Sequence, residues 1–246
     1  LKANIQSMEP STAQRTIRKE DLGIIYGEYT LGRVMSMIDV DMVFDVGANI
    51  GQYGLLMRHH MGYRGPLISF EPIPRAVAQL KTLSSQDPSW QVKECALDDR
   101  RGRAAFNVMA GDQFSSLLAP SKQFEGRFFG QHTIREVIEV DVIALDDAVS
   151  EVPPFSRGLL KLDTQGNELR ILRGAAQALR HFPAIQLEVG FQPLYEGAAG
   201  FDEAVQTLND LGYALCALFP NNYGHFPYLL EMDAIFLRRE LYPAFP

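Results

Sequence analysis

Three features of this chain have the residue types and spacing for chemistry: a glycine-rich turn, an acid placed well after it, and two more acids that close apolar runs. The turn lies in VFDVGANIGQYG (43–54), with Gly47, Gly51 and Gly54 directly after the strand-length run MVFDV. Gly47 and Gly51 carry no Cβ, so the backbone can bend sharply and approach a ligand closely. The N–H groups at the start of the following helix favour a carboxylate or phosphate. The segment ISFEP puts Glu71 at the end of the next apolar run, 20 residues after Gly51. An acid at that place accepts hydrogen bonds from ribose hydroxyls, so an adenosine-type ligand is expected. The glycine spacing is not Gly-x-Gly-x-x-Gly, and an Asn49 side chain would crowd a pyrophosphate. A nucleoside with an amino-acid tail escapes that restriction.

The other acids stand further along. Asp163 closes LLKLD, and Gly166 lets the chain turn into the next helix; Glu188 closes IQLEV. Two carboxylates at neighbouring strand ends are costly unless they bind a proton, a cation or a hydroxyl donor.

Such groups need a sheet edge to hold them. Apolar runs of strand length recur at 42–46, 66–70, 92–97, 159–163, 185–189, 213–219 and 233–238. Helical patterns separate most of them. Ile73, Val77 and Leu80 mark one helix, with Pro74 in its first turn. Leu169, Leu172, Ala176 and Leu179 mark a second; Val205, Leu208 and Leu211 mark a third, opened by Asp202 as N-cap and closed by Gly212. Strands buried on both faces and alternating with helices predict an α/β fold with a mostly parallel sheet. AAFNVM and VIEVDVIAL (137–145) read as extra strands between the third and fourth sheet strands. The last two strands have no helix between them and read as an antiparallel terminal hairpin. LGIIYGEYTLGRVMSMI reads as one or two helices, preceded by an extended or frayed lead-in over residues 1 to 20.

Composition narrows the class. The 246 residues carry a net charge of −7, which argues against a non-specific nucleic-acid binder. Cys95 and Cys216 lie far apart in apolar runs, so neither a disulfide framework nor a metal-ligand spacing is present. No run reaches membrane-spanning length. The expectation is a cytoplasmic protein with no bound metal, a single domain overall: residues 1–40 as a lead-in and helical segment, 41–246 as the catalytic domain.

VFDVGANIGQYG, ISFEPIPRAVAQLK, CALDDRRGRAAF, GDQFSSLLAP, LLKLDTQGNELRILRGA, IQLEVGFQPLYEG and EMDAIFLRR occur in this order. Together they resemble the FkbM family of methyltransferases over about residues 40–240. The resemblance implies a Rossmann-like class I methyltransferase fold with a seven-stranded sheet, and S-adenosyl-L-methionine as methyl donor. It implies that Gly47, Ala48, Asn49 and Gly51 hold the methionine moiety, with Asp45 accepting from its amino group directly or through water. Gln52 and Tyr53 would line the pocket, Tyr53 either facing the sulfonium or packing under the sheet. Glu71 would take the ribose and Pro72 wall the adenine; Ala96 and Leu97 would stack on the adenine, with Asp98 accepting from its amino group. Ser115 and Ser116 would form a turn on the cofactor side. Gln165 stands where many family members carry Glu, which removes one charge.

The implied reaction is O-methylation of a hydroxyl on a sugar, glycolipid or polyketide-type product. A hydroxyl is a poor nucleophile until its proton begins to leave, so a general base is expected. Asp163 and Glu188 are candidates, and His225 in NNYGHFP is the other. Against this stand a nicotinamide-dependent oxidoreductase and a non-catalytic nucleotide-binding scaffold. The missing second glycine and the lack of a Tyr-x-x-x-Lys pair oppose the first; the presence of Asp45, Glu71 and Asp163 opposes the second.

Overall fold

A computed structural model describes residues 22–124, 130–220 and 227–241. The lead-in over residues 1 to 20 and His225 therefore lie outside the described residues. Ten strands and six α-helices are described. In chain order they are α1 (Leu22–Ile38), β1 (Met42–Val46), α2 (Gln52–Leu55), β2 (Leu67–Phe70), α3 (Pro74–Ser84), β3 (Trp90–Lys93), β4 (Ala96–Asp98), β5 (Gly102–Met109) and β6 (Ile134–Ala144). They continue with α4 (Leu145–Ser150), β7 (Gly158–Leu162), α5 (Glu168–Arg173), β8 (Ala184–Gly190), α6 (Phe201–Asp210), β9 (Tyr213–Phe219) and β10 (Glu231–Arg238).

Seven strands form the main sheet in the order β3-β2-β1-β7-β8-β10-β9. All pairs are parallel except β10, which runs antiparallel to both β8 and β9. This is the expected mostly parallel sheet with a terminal hairpin. Every residue of β1, β2 and β7 is buried, because helices cover both faces. One core, with Phe44, Phe70, Leu160, Phe182 and Phe236, fills one side. A second, with Val43, Leu67, Leu159, Ile235 and the inner face of α1, fills the other. Residues 22–38 form one helix, which lays Leu31, Val34, Met35 and Ile38 into that second core.

The structure departs from the sequence expectations in four places. The run at 92–97 is not one strand: β3 pairs with β2 at the sheet edge, and the chain then leaves. β4 joins β5 and β6 in a separate three-stranded sheet, with its own core of Ala96, Phe106, Val108, Val140 and Val142 against Ile73 and Ala76 of α3. The helix after Asp163 stops at Arg173 instead of reaching Leu179, because Gly174 is its C-cap. Asp202 sits inside the first turn of α6, whose N-cap is Gly200. After the glycine turn, α2 lasts four residues and widens into a π-helical turn over Leu56–His60. Among the described residues no helix is long and apolar enough to cross a membrane.

The sole tryptophan ties this framework to the sheet edge. Trp90 is buried; its indole N–H donates to Ser69 Oγ at 3.0 Å, and that hydroxyl donates to Asp45 Oδ2 at 3.1 Å. Gly54 lies flat on the indole, where a Cβ would overlap the ring. Gly54→Ala is expected to cost about 1–3 kcal/mol by overpacking, lowering Tm by about 2–4 °C for each kcal/mol in a chain of this size. The emission maximum of Trp90 should move to the red in the same variant; an unchanged melting curve and spectrum would show that the ring has room to yield.

Candidate active site

The sheet order reverses between β1 and β7, and that is where ligands enter an open α/β sheet. A cavity of about 1220 Å³, counting its open mouth, lies at this edge. Its lining includes Gly47, Ala48, Asn49, Gln52 and Tyr53 from the first turn, Glu71 and Pro72 after β2, and Ala96 and Leu97 from β4. It also includes Ser115, Asp163 and Glu188. The residues singled out in the sequence are thus largely brought together.

The first turn is built around left-handed backbone. Gly47 has φ +75°, and a Cβ there would fall on the Asp163 carbonyl oxygen. Asn49 has φ +47°, a conformation asparagine tolerates better than most residues. Its backbone N–H donates to Glu71 Oε2 at 2.8 Å, and the Ile73 N–H donates to Oε1 at 2.9 Å. Glu71 is thereby fixed at the cavity wall. Burial pushes its pKa up to about 7, against the opposing pull of those two N–H groups and of Lys161.

Register places the polar groups on one face of the sheet. Asp45 pairs with Lys161, and Lys161 with Gln186. Two residues further along each strand the same face carries Gly47, Asp163 and Glu188. Asp233 pairs with Glu188 across the antiparallel β10. Lys161 is the hub of this array: its Nζ lies 3.1 Å from Asp45 Oδ1, 3.5 Å from Asp163 Oδ2 and 3.1 Å from the Gly47 carbonyl. Burial pushes the Lys161 pKa down, but Asp45, Asp163 and Asp233 outweigh it and hold the ammonium above its ordinary value. The same ammonium sits 5.5 Å from the centroid of the Tyr53 ring. Tyr53 both packs under the sheet and lines the cavity, and its hydroxyl donates to Gln186 Oε1 at 2.9 Å.

Gln165 joins the two catalytic candidates. Its Nε2 donates to Asp163 Oδ1 at 3.0 Å and to Glu188 Oε2 at 2.7 Å. Burial and the surrounding Asp163, Glu231, Asp233 and Glu168 raise the pKa of Glu188 well above the ordinary carboxylate range. Burial, then Asp163, also raise Asp233 to about 7, with Lys161 and a hydrogen bond from Gln186 opposing.

Four expected site residues do not reach the cavity wall. Asp45 is wholly buried behind Gly47 as the counter-ion of Lys161, so it meets a ligand only through that ammonium. Gly51 turns its face to Leu80 and Leu83 of α3 and serves packing. Asp98 points away to Arg170, 2.8 Å from its guanidinium, while Ala96 and Leu97 keep the wall. Ser116 donates to the Gln165 carbonyl at 2.8 Å and anchors that turn from behind. Sequence reasoning in turn passed over Lys161, Gln186, Asp233 and Tyr195. Lys161 and Gln186 each stand two residues before a noted acid inside a buried strand, which is a readable signal.

Known proteins carry the same pattern. The family model for the methyltransferase FkbM domain matches residues 45–215. The 31-O-demethyl-FK506 methyltransferase FkbM of Streptomyces tacrolimicus is 28% identical over 198 residues, covering 72% of this chain and 74% of that protein. The 2-O-methyltransferase NoeI of Sinorhizobium fredii is 28% identical over 186 residues, 73% of this chain and 74% of that one. The crystal structure of methyltransferase FkbM from Methylobacillus flagellatus KT superposes with a TM-score of 0.51 at 18% identity over 80% of this chain, and shares its fold. This chain spans 44% of that longer one. With a parallel sheet, a glycine turn at its reversal point and this family match over most of the domain, the chain belongs to the FkbM family of methyltransferases.

Proposed function

We propose that this methyltransferase takes its methyl group from S-adenosyl-L-methionine and transfers it to a hydroxyl of a sugar, glycolipid or polyketide-type product. One observation carries the reading: a single cavity holds Glu71 at the end of β2 and the Asp163–Glu188 pair at the ends of β7 and β8. The residues fit the donor. Glu71 keeps free acceptor capacity beyond its two backbone N–H partners and faces the cavity, as a ribose needs. Leu97, Phe106 and Leu117 supply an apolar wall for adenine, and the Gly47–Asn49 backbone offers the close approach an amino-acid tail requires. The relatives' names support an oxygen acceptor: one is a 31-O-demethyl-FK506 methyltransferase and another a 2-O-methyltransferase.

When bound, the donor supplies a methyl carbon already activated by its sulfonium. The protein's tasks are alignment, exclusion of water and removal of one proton. Glu71 and the first turn fix the nucleoside end, while the Asp163–Glu188 pair faces the acceptor. As the acceptor O–H breaks, its proton passes to a carboxylate of that pair and its electron pair forms the new O–CH3 bond. A donor held by Glu71 and the first turn would supply that methyl carbon and keep the C–S electron pair on its sulfur as a neutral thioether. A base whose pKa is raised by burial and by neighbouring acids suits that proton transfer.

Calorimetry is expected to give saturable binding of S-adenosylmethionine and none of NAD; tight NAD binding alone would overturn the reading. Donor affinity should also depend on pH. Glu71 is protonated below about 7 and a ribose hydroxyl prefers the carboxylate, so affinity should fall below pH 7 by up to about tenfold per pH unit and level off above it. A flat profile would show that Glu71 does not hold the ribose. A mass-shift screen with hydroxylated glycans and lipids should reveal one added methyl group. With the acceptor so found, Asp163→Ala and Glu188→Gln are expected to keep donor affinity, and loss of the base should cost about 10²–10⁴ in turnover; full activity in both would remove the pair from the chemistry.

A further inference from the structure

Gln165 occupies an unusual position. It is a buried non-glycine residue with φ +59°, in the left-handed region. Its backbone carbonyl accepts from Ser116 Oγ at 2.8 Å. Its side-chain carbonyl lies 2.7 Å from the Tyr195 hydroxyl, which shares its one proton between that oxygen and the Phe114 carbonyl 2.9 Å away, and Tyr195 is itself 4% exposed. The orientation of the amide follows: with Oε1 facing Tyr195, both Nε2 protons point at Asp163 and Glu188. The reverse orientation would set a carbonyl oxygen against two carboxylates. Gln165, with Leu187 and Glu188, lines both the large cavity and a smaller one that also includes Glu168, Tyr195 and Glu231.

We propose that Gln165, clamped by Tyr195, is the positioning residue that makes Glu188 the proton acceptor of the reaction. This rests on the methyl-transfer reading above. The two carboxylates differ in company. Asp163 has the Lys161 ammonium 3.5 Å away. Among the described residues, Asp163 after β7, Glu168 on α5, and Glu231 and Asp233 on β10 all act on Glu188, with Tyr195 and Gln165 beside it. A neutral amide that donates to both acids keeps them together without adding charge. Hydrogen bonds to a charged carboxylate favour that form, so the amide also limits how far Glu188 rises. It thereby keeps the group able to act as a base.

The test needs no acceptor. Carbon-13 NMR of the protein labelled at glutamate carboxyls follows the titration of Glu188, assigned by the signal missing in Glu188→Gln. In the wild-type chain that midpoint is expected above the ordinary glutamate range. Gln165→Met keeps the length and removes the amide; it should raise the midpoint by about one pH unit or more. Tyr195→Phe frees the amide without deleting it, should raise the midpoint by less, and serves where Gln165→Met fails to fold. Calorimetry on the same samples should give an S-adenosylmethionine Kd within about threefold of wild type, a change of about 0.6 kcal/mol. Midpoints unmoved in a folded variant would overturn the positioning role, and donor binding would be untouched by that result. A wild-type chain that binds no donor would instead overturn the methyl-transfer reading, and the catalytic role of Gln165 with it.

Discussion

A buried ammonium must have anions around it, and the site is organised by that requirement. Lys161 lies in a strand whose every residue is buried, so its charge is out of water and dependent on protein partners. Asp45 from β1 and Asp163 beyond β7 supply them, with the Gly47 carbonyl as a third. Strand β1, its turn and β7 are therefore joined by charge as well as by ladder hydrogen bonds. The contact extends outward in both directions. Behind Asp45 it reaches Ser69 and Trp90; beyond Asp163 it reaches Gln165, Glu188 and Tyr195. A line of polar contacts thus crosses the sheet edge from β3 to the loop after β8.

The electrostatics of the cavity follow from this arrangement. Among the described residues its wall carries Glu71, Asp112, Asp163, Glu188 and Asp233 against the ammonium of Lys161, which is already engaged by Asp45 behind it. Burial first, and neighbouring acids second, make Glu71, Glu188 and Asp233 hold protons more tightly than free carboxylates do. The carboxylates of such a wall attract positive charge. The three-stranded sheet completes the enclosure, contributing Ala96 and Phe106 to the wall from a core of its own and Leu97 from the core it shares with Phe44 and Phe70.

Much of this was legible in the sequence because buried parallel strands leave a strong trace. The apolar runs ending near Asp45, Glu71, Asp163 and Glu188 fixed both the strands and the edge on which those acids meet. The antiparallel finish was legible from the missing helix between the last two strands. What escaped was set by tertiary pairing. The break after Lys93 falls at the charged pair Lys93–Glu94, but with Val92 before it and Cys95, Ala96 and Leu97 after it nothing local marks that pair as a change of sheet. Asp98 was assigned inward although Arg170, 72 residues later, turns it away. Asp233 was missed for a topological reason: an antiparallel strand brings its beginning, not its end, to the edge where the parallel strands finish. Gly51, which the resemblance places on the methionine moiety, packs against Leu80 and Leu83, a contact between distant parts of the chain that a glycine in a turn does not announce.

The contact between Gly47 and Asp163 has a consequence for how this enzyme can change over time. The space a side chain at 47 would need is filled by the carbonyl of 163, so the two loops that bracket the cavity share a partition one atom thick. Neither can drift alone. A lineage that altered the first turn would have to re-route the strand end opposite in the same step, and so the innermost part of the pocket is locked. The outer walls are held differently: Phe106 stands on β5 of the smaller sheet and Ser115 and Leu117 on the loop after it, tied to the inner turn by the hydrogen bond from Ser116 to the Gln165 carbonyl.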